Sequence, residues 1–370
     1  MKIARVQIED FRHLGGQGQS LVLDFTDSLG RVRDFTLLVG PNFCGKTTIL
    51  DSIAAAMGPT LRMPTLRPHF HRIPRTVVRR GALRARVTCW LRFTPEEIAA
   101  TRELFELAER PEQVPDASEV ELTWEYPDPA SRSDHGFSTC NPSLGWTLLK
   151  GRFQVARLLS TGRVGWSWFG RVGGVFTFDQ QRTGFGKTVS RRVWNIIHGT
   201  THPLRESDQR RTSDPRTILL DLAVRSLVPS RDDLGENDFR LIQEKYSHVC
   251  APHRIVGPIR DDELGGLDLR FSDGHNEYGY DGLSSGEQMV LLLLIRFVAE
   301  HMHQSIVLID EMELNQHPIW QRKLLHLIPR MGDGNQIIAT THSLYLRDAV
   351  RPDAVIDLGV LDDRSSGGPA

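Results

Sequence analysis

Residues 2–11, KIARVQIEDF, alternate apolar and polar side chains, the period of a half-buried strand, and SLVLDF at 20–25 repeats it. The two read as paired strands. DFTLLVG at 34–40 is a short apolar run ending in glycine, which predicts a buried strand. KTTILDSIAAAMG at 46–58 follows as a helix closed by Gly58. Strand alternation returns in GALRARVTCWLRF (81–93) and SEVELTWEY (118–126), with a proline-started helix, PEEIAATRELFELAER, between them. GGVFTFDQQ at 173–181 predicts another strand. Helical patterns dominate 187–250, notably DPRTILLDLAVRSLV and ENDFRLIQEKYSHV. GLDLRFSDGHNEYGYDGL at 266–283 reads as a hairpin turned at Asp273-Gly274. The last hundred or so residues alternate helix, strand, helix, strand, the pattern of a parallel α/β sheet. Residues 59–80 and 128–170 carry no assignable period.

A chain of 370 residues can build two or three structural units around one substantial core. The longest apolar run, MVLLLLIRFVA at 289–299, is interrupted by Arg296 and is too short to span a bilayer. Cys44, Cys89, Cys140 and Cys250 have neither disulfide-framework nor zinc spacing, and no signal peptide opens the chain. A cytoplasmic protein is expected. The net charge of −1 hides an uneven distribution. Between Asp51 and Glu96 there is no acid, whereas Arg62, Arg67, Arg72, Arg75, Arg79, Arg80, Arg84, Arg86 and Arg92 all fall there. Residues 135–205 hold Asp179 as their only acid among many lysines and arginines. Such asymmetry fits a phosphate-rich partner such as DNA, and equally a solvated face in an arginine-rich protein.

Three segments carry chemistry. GPNFCGKTT comprises Gly40, Pro41, Asn42, Phe43, Cys44, Gly45, Lys46, Thr47 and Thr48, after a strand and opening a helix. That is the context a phosphate loop requires. Its N–H groups and helix N-terminus can enclose a phosphate, Lys46 adds a point charge, and the Thr47 hydroxyl can ligate Mg²⁺. Phe43 stands where many such loops carry glycine, and either crowds the loop or packs outside it. SIVLIDEMEL at 305–314 is an apolar strand presenting Asp310 and Glu311 at its end, where α/β sheets bind ligands. A helix N-cap would look the same. Downstream of a phosphate loop, Asp310 is read as the Mg²⁺ ligand through water and Glu311 as the residue that polarises the attacking water. QIIATTHS at 336–343 is a second such strand. A solitary histidine is commonly a surface or core residue, but parallel neighbours would set His342 beside the γ-phosphate.

A fourth segment, LSSGEQ at 283–288, has no nucleophile or base of its own. In the order phosphate loop, LSSGEQ, strand with Asp310-Glu311, and His342, the chain resembles the ABC-type ATPase head. LSSGEQ and DEMELNQHPIWQ (310–321) place the resemblance in the RecF, SMC and OLD-like branch, often described as AAA-family ATP-binding proteins. Glu313, Leu314, His317 and Pro318 match that branch, while Asn315 and Gln316 replace its His and Leu. The resemblance covers about residues 1–58 and 265–360.

It implies an α/β fold: a P-loop head with a mixed N-terminal β region, a parallel core sheet with flanking helices, and a helical or irregular lid insertion. The implied boundaries are 1–58 and 261–363 for the head, 59–260 for the insertion, and 364–370 for a disordered tail. ATP and Mg²⁺ are the implied cofactors, and ATP hydrolysis the activity. Gln180, preferred over Gln181, would sense Mg²⁺ at the end of the inserted strand. Ser284, Ser285, Gly286 and Glu287 would form a signature turn that meets the γ-phosphate of a second chain, because one head keeps its own loop and signature apart. The chain is therefore expected to form an ATP-bound homodimer acting as a switch with DNA or with a nuclease or toxin effector, in DNA repair or anti-phage defence. With the sequence ending soon after His342, no TOPRIM nuclease is expected. Two alternatives are weaker. A transporter's nucleotide-binding subunit has a much shorter span between loop and signature. A DNA clamp with long arms needs heptads, and none is visible.

Overall fold

The computed structural model describes residues 1–16, 18–57, 77–109, 118–126, 155, 158–159, 162–164, 168, 170–178, 215–226, 234–261 and 266–359. The strands are β1 (Lys2–Glu9), β2 (Leu21–Asp24), β3 (Phe35–Val39), β4 (Ala85–Arg92), β5 (Glu119–Tyr126) and β6 (Val175–Phe178). They continue as β7 (Arg254–Asp261), β8 (Gly266–Ser272), β9 (Glu277–Gly279), β10 (Ile306–Ile309), β11 (Gln336–Thr341) and β12 (Val355–Asp357). The helices are α1 (Lys46–Ala56), α2 (Pro95–Leu107), α3 (Pro215–Ser226), α4 (Leu234–Cys250), α5 (Ser285–Ala299), α6 (Pro318–Leu327) and α7 (Leu344–Ala349).

Two compact units divide these elements. The first comprises Met1–Asp179, Met302–Met312 and Asp333–Ala370; the second comprises Gln180–His301 and Glu313–Gly332. In the first unit, β12, β3, β11, β10 and β6 form one sheet in that order, every neighbouring pair parallel. A parallel sheet is covered on both faces, which is why β10 reads IVLI with every residue buried. A second sheet, β2-β1-β4-β5, is antiparallel. Its alternation puts Ile3, Val6, Ile8, Val87, Cys89, Leu91, Leu122 and Trp124 inside. Those side chains join one core with Ile49, Ile53 and Met57, and with Leu38, Ile306, Leu308 and Ile338 of the parallel sheet. Helix α1 contacts strands of both sheets, so it is apolar on more than one face. Each Leu or Ile buried there contributes on the order of 1.5–3 kcal/mol.

Strands β4 and β5 lie in the segment the sequence assigned to an insertion, yet they extend the sheet begun by β1. Three arginines of the acid-free stretch are engaged there, Arg92 with Glu119 and two with Glu125. Register sets Arg86 opposite Glu125, and Arg84 and Arg86 both pair with that buried carboxylate. Helix α2 starts as its sequence requires: Pro95 occupies the first turn, and Thr94 and Glu97 form a reciprocal capping box. The buried Cys89 thiol is pushed up to about 12 by desolvation, which leaves it inert.

The second unit packs α3, α4, α5 and α6 with the antiparallel sheet β7-β8-β9. Helix α4 turns Phe239, Ile242, Tyr246, Val249 and Cys250 inward at helical spacing. Helix α5 is the long apolar run, with Val290 to Ile295 all buried. The hairpin holds, and its turn is a four-residue loop. Asp273 accepts from the N–H groups of His275 and Asn276, while Gly274 takes φ +97°. Among the described residues no helix is long and apolar enough to cross a membrane.

One acid in α4 sets a pH dependence. Burial raises the Asp238 carboxyl to about 6, against the opposing charge of Arg225. A raised folded value favours folding fully below about pH 4, and that contribution is lost as pH rises past about 6. Asp238→Asn should therefore raise stability by about 2 kcal/mol at pH 8 and leave it nearly unchanged at pH 4. Thermal melts at the two pH values check this.

Candidate functional site

The phosphate loop joins β3 to α1 in the first unit. Gly45 is the N-cap of α1 at φ +100°, and a Cβ there would meet Leu14 Cδ2 at 2.7 Å, so only glycine fits. Phe43 also has positive φ, +66°, and its side chain is 98% exposed, which settles its placement outside the loop. The Lys46 ammonium is buried and folds back on the loop, donating to Gly40 O and Pro41 O at 2.8 Å each. His342 Nδ1 lies 3.3 Å from it, and Cys44 Sγ 3.7 Å.

Parallel pairing of β10 with β11 brings the other candidates to the same end of the sheet. The Thr47 hydroxyl lies 3.0 and 3.1 Å from the two Asp310 carboxylate oxygens. Asp310 also accepts from Thr340 Oγ1 at 2.7 Å, and that same oxygen accepts from the Glu311 N–H at 2.8 Å. Glu311 follows at φ +46°, a left-handed backbone that costs a non-glycine residue about 1–3 kcal/mol and recurs at functional sites. His342 Nε2 stands 3.7 Å from Glu311 Oε1. Gly40 to Thr48, Asp310, Glu311 and His342 all belong to the first unit.

Two buried charges in this cluster lack a counter-charge among the described residues. The Lys46 ammonium meets carbonyl oxygens, and the Asp310 carboxylate meets hydroxyls. A buried ion satisfied only by neutral dipoles still carries a desolvation cost of several kcal/mol. An anion beside Lys46 and a cation beside Asp310 would offset both costs. The donors near Asp310 are hard oxygens, which suit Mg²⁺. The residues present therefore fit a nucleotide phosphate and its magnesium ion.

The signature residues belong to the second unit. Ser284 caps α5, its hydroxyl accepting from the Glu287 N–H at 3.3 Å while Glu287 reaches back to the Ser284 N–H at 2.9 Å. The Ser284 hydroxyl also donates to Glu287 Oε2 at 2.8 Å, so the proton assigned to a phosphate is here engaged by Glu287. Ser285 is exposed at the first turn, where helix N–H groups lack intrahelical partners. Gly286 is required by packing: a Cβ would meet Asn315 O at 2.6 Å and the Trp320 ring at 3.3 Å. Gln180 and Gln181 lie outside the described residues, as do Gly58 and the tail.

Sequence reasoning missed Thr340, whose signal was a polar residue on a wholly buried strand two positions before His342. It also missed Tyr246, His253 and Tyr278, which surround Glu287 without any motif of their own.

The chain has the fold of an SMC head, a P-loop fold with a parallel core sheet and a second, antiparallel one. The family model described as "AAA domain, putative AbiEii toxin, Type IV TA system" matches residues 200–348, which takes in the signature turn, Asp310, Glu311 and His342 but not the phosphate loop. The Septu protein PtuA of Bacillus thuringiensis is 30% identical over 110 residues, 26% of this chain and 28% of that protein. Among solved structures, an Smc head bound to the C-winged helix domain of ScpA superposes with a TM-score of 0.53 at 16% identity, over 96% of each chain. An Smc head with an extended coiled coil, bound to the C-terminal domain of ScpA and derived from Pyrococcus furiosus, gives 0.51 at 14% identity, over 98% of this chain and 99% of that one. These structural likenesses establish the fold.

Proposed function

We propose that this chain binds and hydrolyses ATP with Mg²⁺, dimerises on the bound nucleotide through its signature turn, and acts as a switch on an effector protein in anti-phage defence. The observation that carries the nucleotide reading is the pair of buried charges, Lys46 and Asp310, which have no counter-charge among the described residues, with Thr47 bonded to Asp310. The loop N–H groups and Lys46 would hold the phosphates, and Thr47 with Asp310 would hold the metal. Bound magnesium would supply charge neutralisation at the phosphates. Glu311, at a left-handed backbone position just past β10, orients and deprotonates the attacking water. His342 lies within 3.3 Å of Lys46 and 3.7 Å of Glu311 and would contact the transferring phosphoryl group.

The effector reading is supported by the family description, which names a toxin of a type IV TA system, and by the Septu relative. Direct DNA binding and a role in DNA repair are the second reading. The arginine-rich composition favours it, but Arg84 and Arg86 are engaged by Glu125. Lys46→Ala should weaken ATP affinity by about a hundredfold, because it removes a buried ammonium from the phosphate site. Titration with a fluorescent ATP analogue measures it, and an unchanged affinity would remove Lys46 from the site.

A further inference from the structure

The signature turn is anchored more heavily than helix capping requires. A capping box asks of its glutamate side chain only the bond back to the N-cap N–H. Glu287 uses Oε2 in that way, accepting from the Ser284 N–H and hydroxyl. Its Oε1 is met by protein as well. Tyr246 donates to it at 2.8 Å from α4, His253 Nδ1 lies 2.9 Å away, and the Tyr278 hydroxyl of β9 lies 3.4 Å away. His253 Nδ1 is also 2.7 Å from the Tyr278 hydroxyl, which ties the two together. Glu287 is 3% exposed, and a carboxylate so far from water is costly unless its lone pairs are filled. Burial pushes its carboxyl up, but the bonds from Ser284 and Tyr246 and the His253 imidazole outweigh that and hold it below the ordinary range.

We propose that Tyr246, His253 and Tyr278 are positioning residues for the signature turn. Through Glu287 Oε1 they fix the Ser284 rotamer and the N–H groups of Ser285 and Gly286 in the orientation that receives a phosphate from a second copy of this chain. The inference rests on the composite-site reading above. Helix α4, the loop that follows it and strand β9 converge on one carboxylate, and the carboxylate sets the turn. Tyr246 is fully buried and packs edge-on against Phe271, so Phe at 246 keeps the ring contact and removes only the hydroxyl.

The test uses the full chain carrying Tyr246→Phe, Tyr278→Phe or both. It measures affinity of the protomer for a fluorescent ATP analogue, ATP-driven dimerisation in a Glu311→Gln background, and kcat and KM with Mg-ATP well below the melting temperature. The expected result is unchanged protomer affinity, dimerisation shifted to about tenfold higher concentration, and a similar fall in kcat, the size of one lost charge-assisted hydrogen bond. His253→Gln, which keeps a donor, should retain more activity than His253→Leu. Tyr278 is half-buried, so its variant keeps the test informative if Tyr246→Phe fails to fold. Wild-type dimerisation and kcat in folded variants, or a parallel loss of protomer ATP affinity, would overturn the proposal. Ser284→Arg serves as the control. If that variant also turns over normally, the composite site itself is wrong; if it is dead while the tyrosine variants are normal, only the positioning role is.

Discussion

Glu311→Gln is expected to bind ATP as the wild type does and to turn it over about a thousandfold more slowly. The fold-change is that of losing a positioned general base. Glutamine matches glutamate in volume, and the backbone N–H at 311 would still donate to Thr340 Oγ1, so the strand end should keep its shape. The φ of +46° is as tolerable for glutamine as for glutamate, which leaves the lost negative charge as the main difference. That charge faces His342 at 3.7 Å, so the variant also tests whether the histidine acts with the carboxylate. Single-turnover hydrolysis with a parallel binding titration separates the two steps. Turnover at the wild-type rate would dismiss Glu311 as the base. On the proposed switch, the same variant should accumulate an ATP-bound dimer, because hydrolysis is what releases it.

Much of this site was legible in the sequence, because phosphate-loop chemistry needs its residues at fixed local spacing. Gly40, Gly45, Lys46 and Thr47 fall within eight consecutive residues joining β3 to α1. The strands leading to Asp310 and His342 are visible for a related reason: both are buried along their whole length, β10 as IVLI and β11 around the apolar stretch IIA. What could not be read were contacts made by topology. Thr340 meets Asp310 because β10 and β11 are parallel neighbours, and no local pattern states that pairing. By sequence Arg86 fits a phosphate-rich partner and a solvated face equally; cross-strand register sets it against Glu125. Tyr246, His253 and Tyr278 come from three separate segments to one carboxylate, and each alone reads as an ordinary aromatic position. The strands β4 and β5 were found as strands, but their attachment to β1 depends on long-range pairing.

The second large effect is expected from Ser284→Arg, which should leave the protomer's ATP affinity intact, abolish ATP-driven dimerisation and lower turnover by about a hundredfold. Two terms need separating. Losing the N-cap hydroxyl costs the helix about 1 kcal/mol, and the capping box loses one of its two bonds. Ser284→Ala removes the same hydroxyl, with its cap bond and its bond to Glu287, but adds no bulk or charge, so its effect measures what the hydroxyl contributes. Arginine adds a long cation at an exposed turn, where it would fill the space a phosphate must enter and set its charge against a second copy's Lys46. The difference between the two variants therefore reports on the second chain rather than on the stability of α5. Sedimentation of both variants in the Glu311→Gln background supplies the measurement. If arginine and alanine behave alike, with dimers still forming at wild-type concentrations, the turn does not face a partner. The signature would then be only a well-capped helix start.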